Sequence, residues 1–205
     1  MDMYKISCAG GGVGFNVSKI RPMGDDVGSV PTSAPGSVSV LKVLDGVGTH
    51  VKAGKNRRTA LMGILNVTHP DCLHFLDVKL NKKELNNFNI SVAITNRFLE
   101  AVENDEPWFF TFNNREYHRY QLESSTSRII HVIGTSEEDA CNRAEAFHQD
   151  TWDETFTCQM MDDITAKELW DIIWTNSVES GDPGIYNIDL ANSYTNVSYF
   201  EDLES

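Results

Sequence analysis

The stretch from Cys8 to Pro22, Cys-Ala-Gly-Gly-Gly-Val-Gly-Phe-Asn-Val-Ser-Lys-Ile-Arg-Pro, constrains the fold of this chain more than any other. Gly10, Gly11, Gly12 and Gly14 remove the side chain from four of five consecutive positions, an entropic cost that an ordinary loop has no reason to carry. Something must come close to that backbone, either a ligand or packed chain at a tight bend. Backbone N–H groups exposed in a glycine turn form an anion-binding concavity, so a nucleotide suits the first alternative. The spacing is not that of a Walker loop, because no Gly-Lys-Ser/Thr follows, and the Rossmann fingerprint needs a strand before it and a helix after it. Here residues 2–8 read as a helix ending at the glycines, which commonly cap helix C-termini. The glycines then lead into a strand, since residues 15–20 alternate apolar and polar.

Composition narrows the partners. A chain of 205 residues, 40% hydrophobic and 10% aromatic, supports one folded domain with a real core. No apolar run approaches the roughly 20 residues needed to cross a bilayer, and Met-Asp-Met-Tyr-Lys is no signal-peptide core, so a cytoplasmic protein without membrane contact is expected. The formal net charge of −13 opposes nucleic-acid binding, which needs basic surface to displace counterions. Polyanions must therefore be met by local positive clusters, and there are two: Lys19 with Arg21, and Lys52, Lys55, Arg57 and Arg58. Cys8, Cys72, Cys141 and Cys158 have neither Cys-x-x-Cys nor metal-ligand spacing, which points to plain thiols. His69 and His74 lie five apart, off a common helical face, so no metal pair is expected there.

In chain order, residues 21–26 form a Pro/Gly-broken loop, and the apolar stripe of residues 37–52 predicts a helix. The polar segment 53–60 then feeds an apolar strand over 61–67. Adjacent Arg57 and Arg58 beside a glycine suit a phosphate or a base through bidentate guanidinium contacts, or else form a solvated surface loop. Thr68 is placed as the cap of a helix with Pro70 in its first turn. A strand over 88–94, a Thr95-capped helix to Asn104 and an apolar run from Trp108 to Phe112 follow. Beyond them lie a polar segment, a strand-like 128–133 and an acidic helix over about 136–149; the region 113–160 offers no interpretable motif, and its charges read as a solvated face. Thr165-Ala166-Lys167-Glu168 is a capping box opening a helix that Gly181-Asp182-Pro183-Gly184 ends, and 185–190 reads as one more strand. Strands alternating with helices imply an α/β fold around a largely parallel sheet, whose ligands bind beyond the carboxyl ends of its strands. The Arg57–Arg58 loop precedes its strand, which puts it at the opposite end unless it doubles back.

Five ordered segments carry a resemblance: Gly-Gly-Gly-Val-Gly-Phe-Asn-Val-Ser-Lys-Ile-Arg-Pro, Lys-Asn-Arg-Arg-Thr-Ala-Leu-Met-Gly-Ile-Leu, Thr-His-Pro-Asp-Cys-Leu-His-Phe-Leu, Asn-Asn-Phe-Asn-Ile-Ser-Val-Ala-Ile-Thr and Glu-Ser-Gly-Asp-Pro-Gly-Ile-Tyr. Together they resemble the catalytic subunit of ribonucleotide reductase, most closely its adenosylcobalamin-dependent class. The similarity covers residues 1–112 and 163–192, leaving 113–162 as a lineage-specific elaboration. It implies about the first half of a ten-stranded α/β barrel occupying residues 1–205. Gly10, Gly11 and Gly12 would then line the substrate nucleoside. The loop 21–28, with Arg21 and Asp25, would meet the phosphates of a dNTP or ATP effector, and the loop 53–60, with Lys55, Arg57 and Arg58, would report that effector to the substrate. Ala53 and Lys55 depart from the Gln and Gly that the family commonly carries. The helices 2–8 and 37–52 would pack against a second copy in a homodimer.

The resemblance also implies what is missing. The family's radical cysteine lies in Asn-x-Cys-x-Glu, and a cysteine pair reduces the substrate; neither is in this sequence, and none of its four cysteines matches a catalytic position. The chain thus reads as an interior segment of the reductase, inactive without the remainder, with adenosylcobalamin belonging to the complete enzyme. A diiron-dependent reductase and a non-catalytic dNTP-binding remnant are the alternatives.

Overall fold

The computed structural model describes residues 2–28, 32–51, 59–80, 84–124, 129–147 and 156–195. Helix α1 (Asp2–Cys8) ends in a Schellman arrangement: Gly11 N–H donates to Ile6 O at 2.9 Å and Gly10 N–H to Ser7 O at 3.0 Å. Gly10 supplies the left-handed residue at φ 83°, and a Cβ on Gly11 would stand 2.7 Å from Ile6 Cγ2. Two of the four glycines are thus accounted for by the end of one helix. Strand β1 (Gly12–Asn16) begins inside the glycine run, earlier than the alternation of 15–20 predicts. Its extent is set by parallel pairing of Gly12–Asn16 with Ala60–Ile64, a contact that alternation cannot report.

Helix α2 (Gly36–His50) follows close to its expected bounds, and β2 (Ala60–Asn66) runs beside β1. Thr68 caps no helix: α3 (Cys72–Asp77) starts later, after turns in which His69 N–H donates to Asn66 O and Cys72 N–H to His69 O. Strand β3 (Phe88–Ile94) pairs with β2, and Thr95 caps α4 (Asn96–Glu103), its Oγ1 accepting from Phe98 N–H at 3.2 Å.

The region 110–160 departs most from expectation. Strands β4 (Phe110–Phe112), β5 (Arg115–Ser124) and β6 (Ile129–Gly134), helix α5 (Glu137–Phe147) and β7 (Phe156–Met160) build a second, antiparallel sheet with β5 at its centre. Strands β6 and β7 both run antiparallel to β5, so β6–α5–β7 is a split βαβ crossover with β5 between its strands. Tyr120, Leu122, Ile130, Ala140 and Ala144 form a small core of its own, while Tyr117 belongs to the main core.

Helix α6 (Ala166–Ser180) has the expected capping box and stops at left-handed Gly181. The last strand is short: β8 (Gly184–Asn187) gives way to α7 (Ile188–Tyr194), whose N-cap Asn187 accepts from Leu190 N–H at 2.9 Å. The main sheet has the order β1-β2-β3-β8, all parallel, and among the described residues is open at both edges. Leu61, Leu65, Ile90 and Val92 are buried beneath the layer of α2, α3 and α6; on the other face Gly12, Gly14, Asn16, Ala60 and Asn89 are exposed, while Ser91 and Ala93 are buried. Among the described residues no helix is long and apolar enough to cross a membrane.

Candidate functional site

The chain beyond the carboxyl end of β1, residues 17–28, is tied down at almost every step. Ile20 O lies 2.9 Å from His69 Nε2, while His69 Nδ1 is 3.0 Å from Asp71 N–H. The backbone donor requires Nδ1 to accept, so the ring proton sits on Nε2 and points at Ile20 O. Burial pushes the pKa of His69 below its ordinary value despite the pull of Asp71, Ile20 O and Asp25, which leaves the ring neutral at pH 7. Asp71 reaches both ways. Its Oδ1 accepts from Met23 N–H at 2.8 Å and its Oδ2 from the N–H and Oγ–H of Ser37, each at 2.8 Å. The carboxylate therefore caps the N-terminus of α2 from a distance, in place of the Pro35 that precedes it in sequence. Residues 24–26 pair with 33–34 through Gly24 N–H to Ala34 O at 2.9 Å and Ala34 N–H to Asp25 O at 2.8 Å.

Asp25 closes the arrangement. It is buried; Tyr117 Oη–H lies 3.1 and 3.0 Å from its two oxygens, Arg143 Nη2 donates to Oδ1, and Arg115 Nη2 stands 3.7 Å from Oδ2. Arg143 is buried as well, donating from Nη1 to Met23 O at 2.6 Å and from Nε to Asp139 Oδ2 at 2.8 Å, with its guanidinium 5.2 Å from the Tyr117 ring centre. Burial works against its charge, but Asp139 and Asp25 outweigh it and hold the pKa above the ordinary value. Tyr117 is pushed up to about 12, first by burial and then by Asp25. The charges of 113–160, expected on a solvated face, thus include a buried arginine that grips the loop after β1.

Of the residues singled out in the sequence, Arg21 is exposed, with Nη1 donating to Asp26 O of its own loop. Asp25 faces inward. Gly10, Gly11 and Gly12 lie at the other end of β1, about 13 Å of strand from Asn16 at roughly 3.3 Å per residue. Lys55, Arg57 and Arg58 fall outside the described residues, but the base of their loop is fixed: Thr59 Oγ1–H lies 3.0 Å from both Gly48 O and Val51 O, and Ala60 pairs with Gly12. The glycine turn and the base of the second loop therefore adjoin, while the first loop stands apart. Helix α2, 15 residues and about 22 Å long, runs from Asp71 and Met23 at one end to Thr59 at the other.

Sequence reasoning missed His69, Asp71, Tyr117 and Arg143. The first two had a faint signal in His-Pro-Asp ahead of an apolar run; the last two had none, because their partner is roughly a hundred residues away. A cavity of about 540 Å³ lies beside the grip, lined by Pro70, Leu73 and Ile172 on one side and by Arg119, His131 and Val132 on the other. Among the described residues no cluster of His, Cys, Asp or Glu can hold a metal ion. Cys72 is fully buried, and burial pushes its thiol up to about 12, which disqualifies it as a nucleophile. Among the described residues the site thus presents an exposed guanidinium on a firmly held loop, without a reacting group.

The ribonucleotide reductase barrel-domain model matches residues 1–203. The chain belongs to the ribonucleotide reductase family. It is similar to the vitamin B12-dependent ribonucleoside-diphosphate reductase of Thermoplasma acidophilum, 32% identical over 201 residues that cover 98% of this chain and 21% of that protein. The enzyme of the same name from Mycobacterium tuberculosis is 44% identical over 100 residues, 48% of this chain and 14% of that protein. The ribonucleoside-diphosphate reductase large subunit of Dictyostelium discoideum is 26% identical over 196 residues, 93% of this chain and 20% of its own length. The chain thus spans about a fifth of the length of the Thermoplasma and Dictyostelium proteins, and its match to the Mycobacterium enzyme covers 14% of that protein. Its four parallel strands match the α/β architecture expected of part of that barrel, and the antiparallel sheet of 110–160 stands beside them.

Proposed function

We propose that this chain is the nucleotide-sensing part of a ribonucleotide reductase that converts ribonucleoside diphosphates to deoxyribonucleotides by thiyl-radical chemistry. The observation that carries the reading is the loop 17–28, locked in place beyond the carboxyl end of β1 while the guanidinium of Arg21 stays exposed, in a chain matched by the barrel-domain model over residues 1–203. In this reading Arg21 binds effector phosphate, and Asp25 acts indirectly by fixing the loop. Lys55, Arg57 and Arg58 would report the effector to the substrate, and α2 couples the base of their loop to the first loop mechanically. Gly10, Gly11 and Gly12 let the substrate nucleoside approach the backbone beside the base of that second loop.

The relatives named as B12-dependent support adenosylcobalamin as the radical source. When bound, it supplies the radical that is passed to a cysteine. No residue of this segment is assigned to it, and in this reading the radical and reducing cysteines come from the remainder of the enzyme. The exposed Tyr4 and Ile6 of α1 and Val43 and Val47 of α2 suit a homodimer contact, and 113–162 is an elaboration added to the barrel.

The test is titration of the 205-residue chain with dATP, dGTP and dTTP by calorimetry, beside Arg21→Ala. Saturable binding weakened at least about tenfold by the substitution, the scale of one lost charge-assisted phosphate contact, is expected. No deoxynucleotide should form when cobalamin and a dithiol are added. Binding that is absent, or indifferent to Arg21, would overturn the reading.

A further inference from the structure

We propose that Arg143 is a positioning residue for the loop 21–28, and that through it the β5–β6–α5–β7 unit sets how that loop receives nucleotide. The second half rests on the reading of 21–28 as the effector loop. The geometry is specific to a grip rather than to general packing. Beside Arg143 the unit and the main body are separated by the 540 Å³ cavity, with Leu73 and Ile172 on one wall and His131 and Val132 on the other. Side-chain contact there gives way to space, although Tyr117 and Ile133 still pack on the main core, and the polar links to the loop are Arg143, Tyr117 and, at 3.7 Å from Asp25, Arg115.

Arg143 touches the loop in three ways. Its Nη1 donates to Met23 O at 2.6 Å, its Nη2 meets Asp25, and its aliphatic stem lies against Gly24, where a Cβ would stand 2.5 Å from Arg143 Cγ. Gly24 also sits at φ 88°, so the loop is shaped to receive that stem. Behind the guanidinium, Asp139 accepts from Nε at 2.8 Å and from Thr135 N–H at 2.8 Å, which orients Arg143 from the start of α5. Tyr117 completes the enclosure, its hydroxyl on Asp25 and its ring under the guanidinium. A charge pair buried this fully is costly when one partner is removed, because the other is left uncompensated. Movement of α5 relative to β5 therefore acts directly on Met23 and Asp25 through Arg143.

The test uses Arg143→Met, which keeps most of the stem on Gly24 and removes the charge, with Asp25→Asn and the double variant. Backbone amide exchange and dNTP affinity are read on each. Arg143→Met should raise exchange at residues 23–28 at least about tenfold with α4 and α6 unchanged, as local opening does. It should weaken dNTP binding by a similar factor, and the double variant should recover part of both losses by neutralising Asp25. Unchanged exchange at 23–28, or raised exchange with wild-type affinity, would overturn the proposal. If Arg143→Met does not fold, Arg143→Lys replaces it with the same localised increase expected, and a uniform rise across β2 and β3 would make Arg143 a fold residue only. Should the unaltered chain bind no dNTP, the effector reading is what fails, and the exchange measurement still decides whether Arg143 holds the loop.

Discussion

Arg143 and Asp25, 118 residues apart in the chain, form an ion pair whose side chains are 5% and 2% exposed. Neither residue is buried by its own element's apolar pattern. Each is enclosed because the other neutralises it, with Tyr117, Met23 and Asp139 satisfying the remaining polar atoms.

Asp71 should be a second linchpin. It accepts from Met23 N–H, Ser37 N–H and Ser37 Oγ–H, so Asp71→Ala leaves two buried donors and one half-buried donor without a partner. A loss of about 3 kcal/mol in urea-unfolding free energy is expected, with Asp71→Asn recovering part of it.

Acid should weaken the fold from near neutrality. Burial is the largest cause lowering the pKa of His69, and likewise of His74, whose Nδ1 has no partner among the described residues. In the unfolded chain both return to the ordinary 6.5, so below that pH the unfolded state binds more protons than the folded one. Stability should be complete above 6.5 and fall as pH drops through the lowered folded values; chemical denaturation between pH 5 and 7.5 reads the slope, and replacing His69 with Gln should flatten it.

The glycines should separate by role. Gly10→Ala should cost about 1 kcal/mol by forcing a Cβ into the left-handed region. Gly14→Ala meets nothing within 4 Å and should change thermal stability by less than about 0.5 kcal/mol. A loss of nucleotide binding in Gly14→Ala would then mark the open sheet face as ligand-facing.

Alkylation should sort the thiols. Cys8 is exposed and should react with iodoacetamide at pH 8 in the folded chain. Cys72 is fully buried and pushed up to about 12 by burial, so it should label only after denaturation, whereas the half-exposed Cys158, raised by burial and its neighbour Cys141, should label more slowly than Cys8. Mass spectrometry of the labelled peptides checks this.

Much of the fold was legible because its signals are local. The Thr165–Glu168 capping box, the Thr95 cap, the glycine stop after Cys8 and the β-branched run of 88–94 each concern residues within a few positions, and each stands where the sequence puts it. The antiparallel unit was not legible. In β5 the buried residues are Tyr117, Tyr120 and Leu122, a spacing of three and then two, because Tyr117 serves the main core and the other two serve α5. That spacing fits neither a strand nor a helix period. Helix α5 presents alanines at 140 and 144, which carry little hydropathy signal.

The sequence by itself determined the family and the parallel α/β sheet, since ordered motifs and short-range caps record them directly. The tertiary structure alone decided that Asp25 faces inward, that Asp71 caps α2 from a distance, and that Arg143 holds the loop after β1. The physical reason is common to all three. A buried charge is stable only beside its partner, and the partner's identity is a property of which distant segments meet, not of the residues on either side.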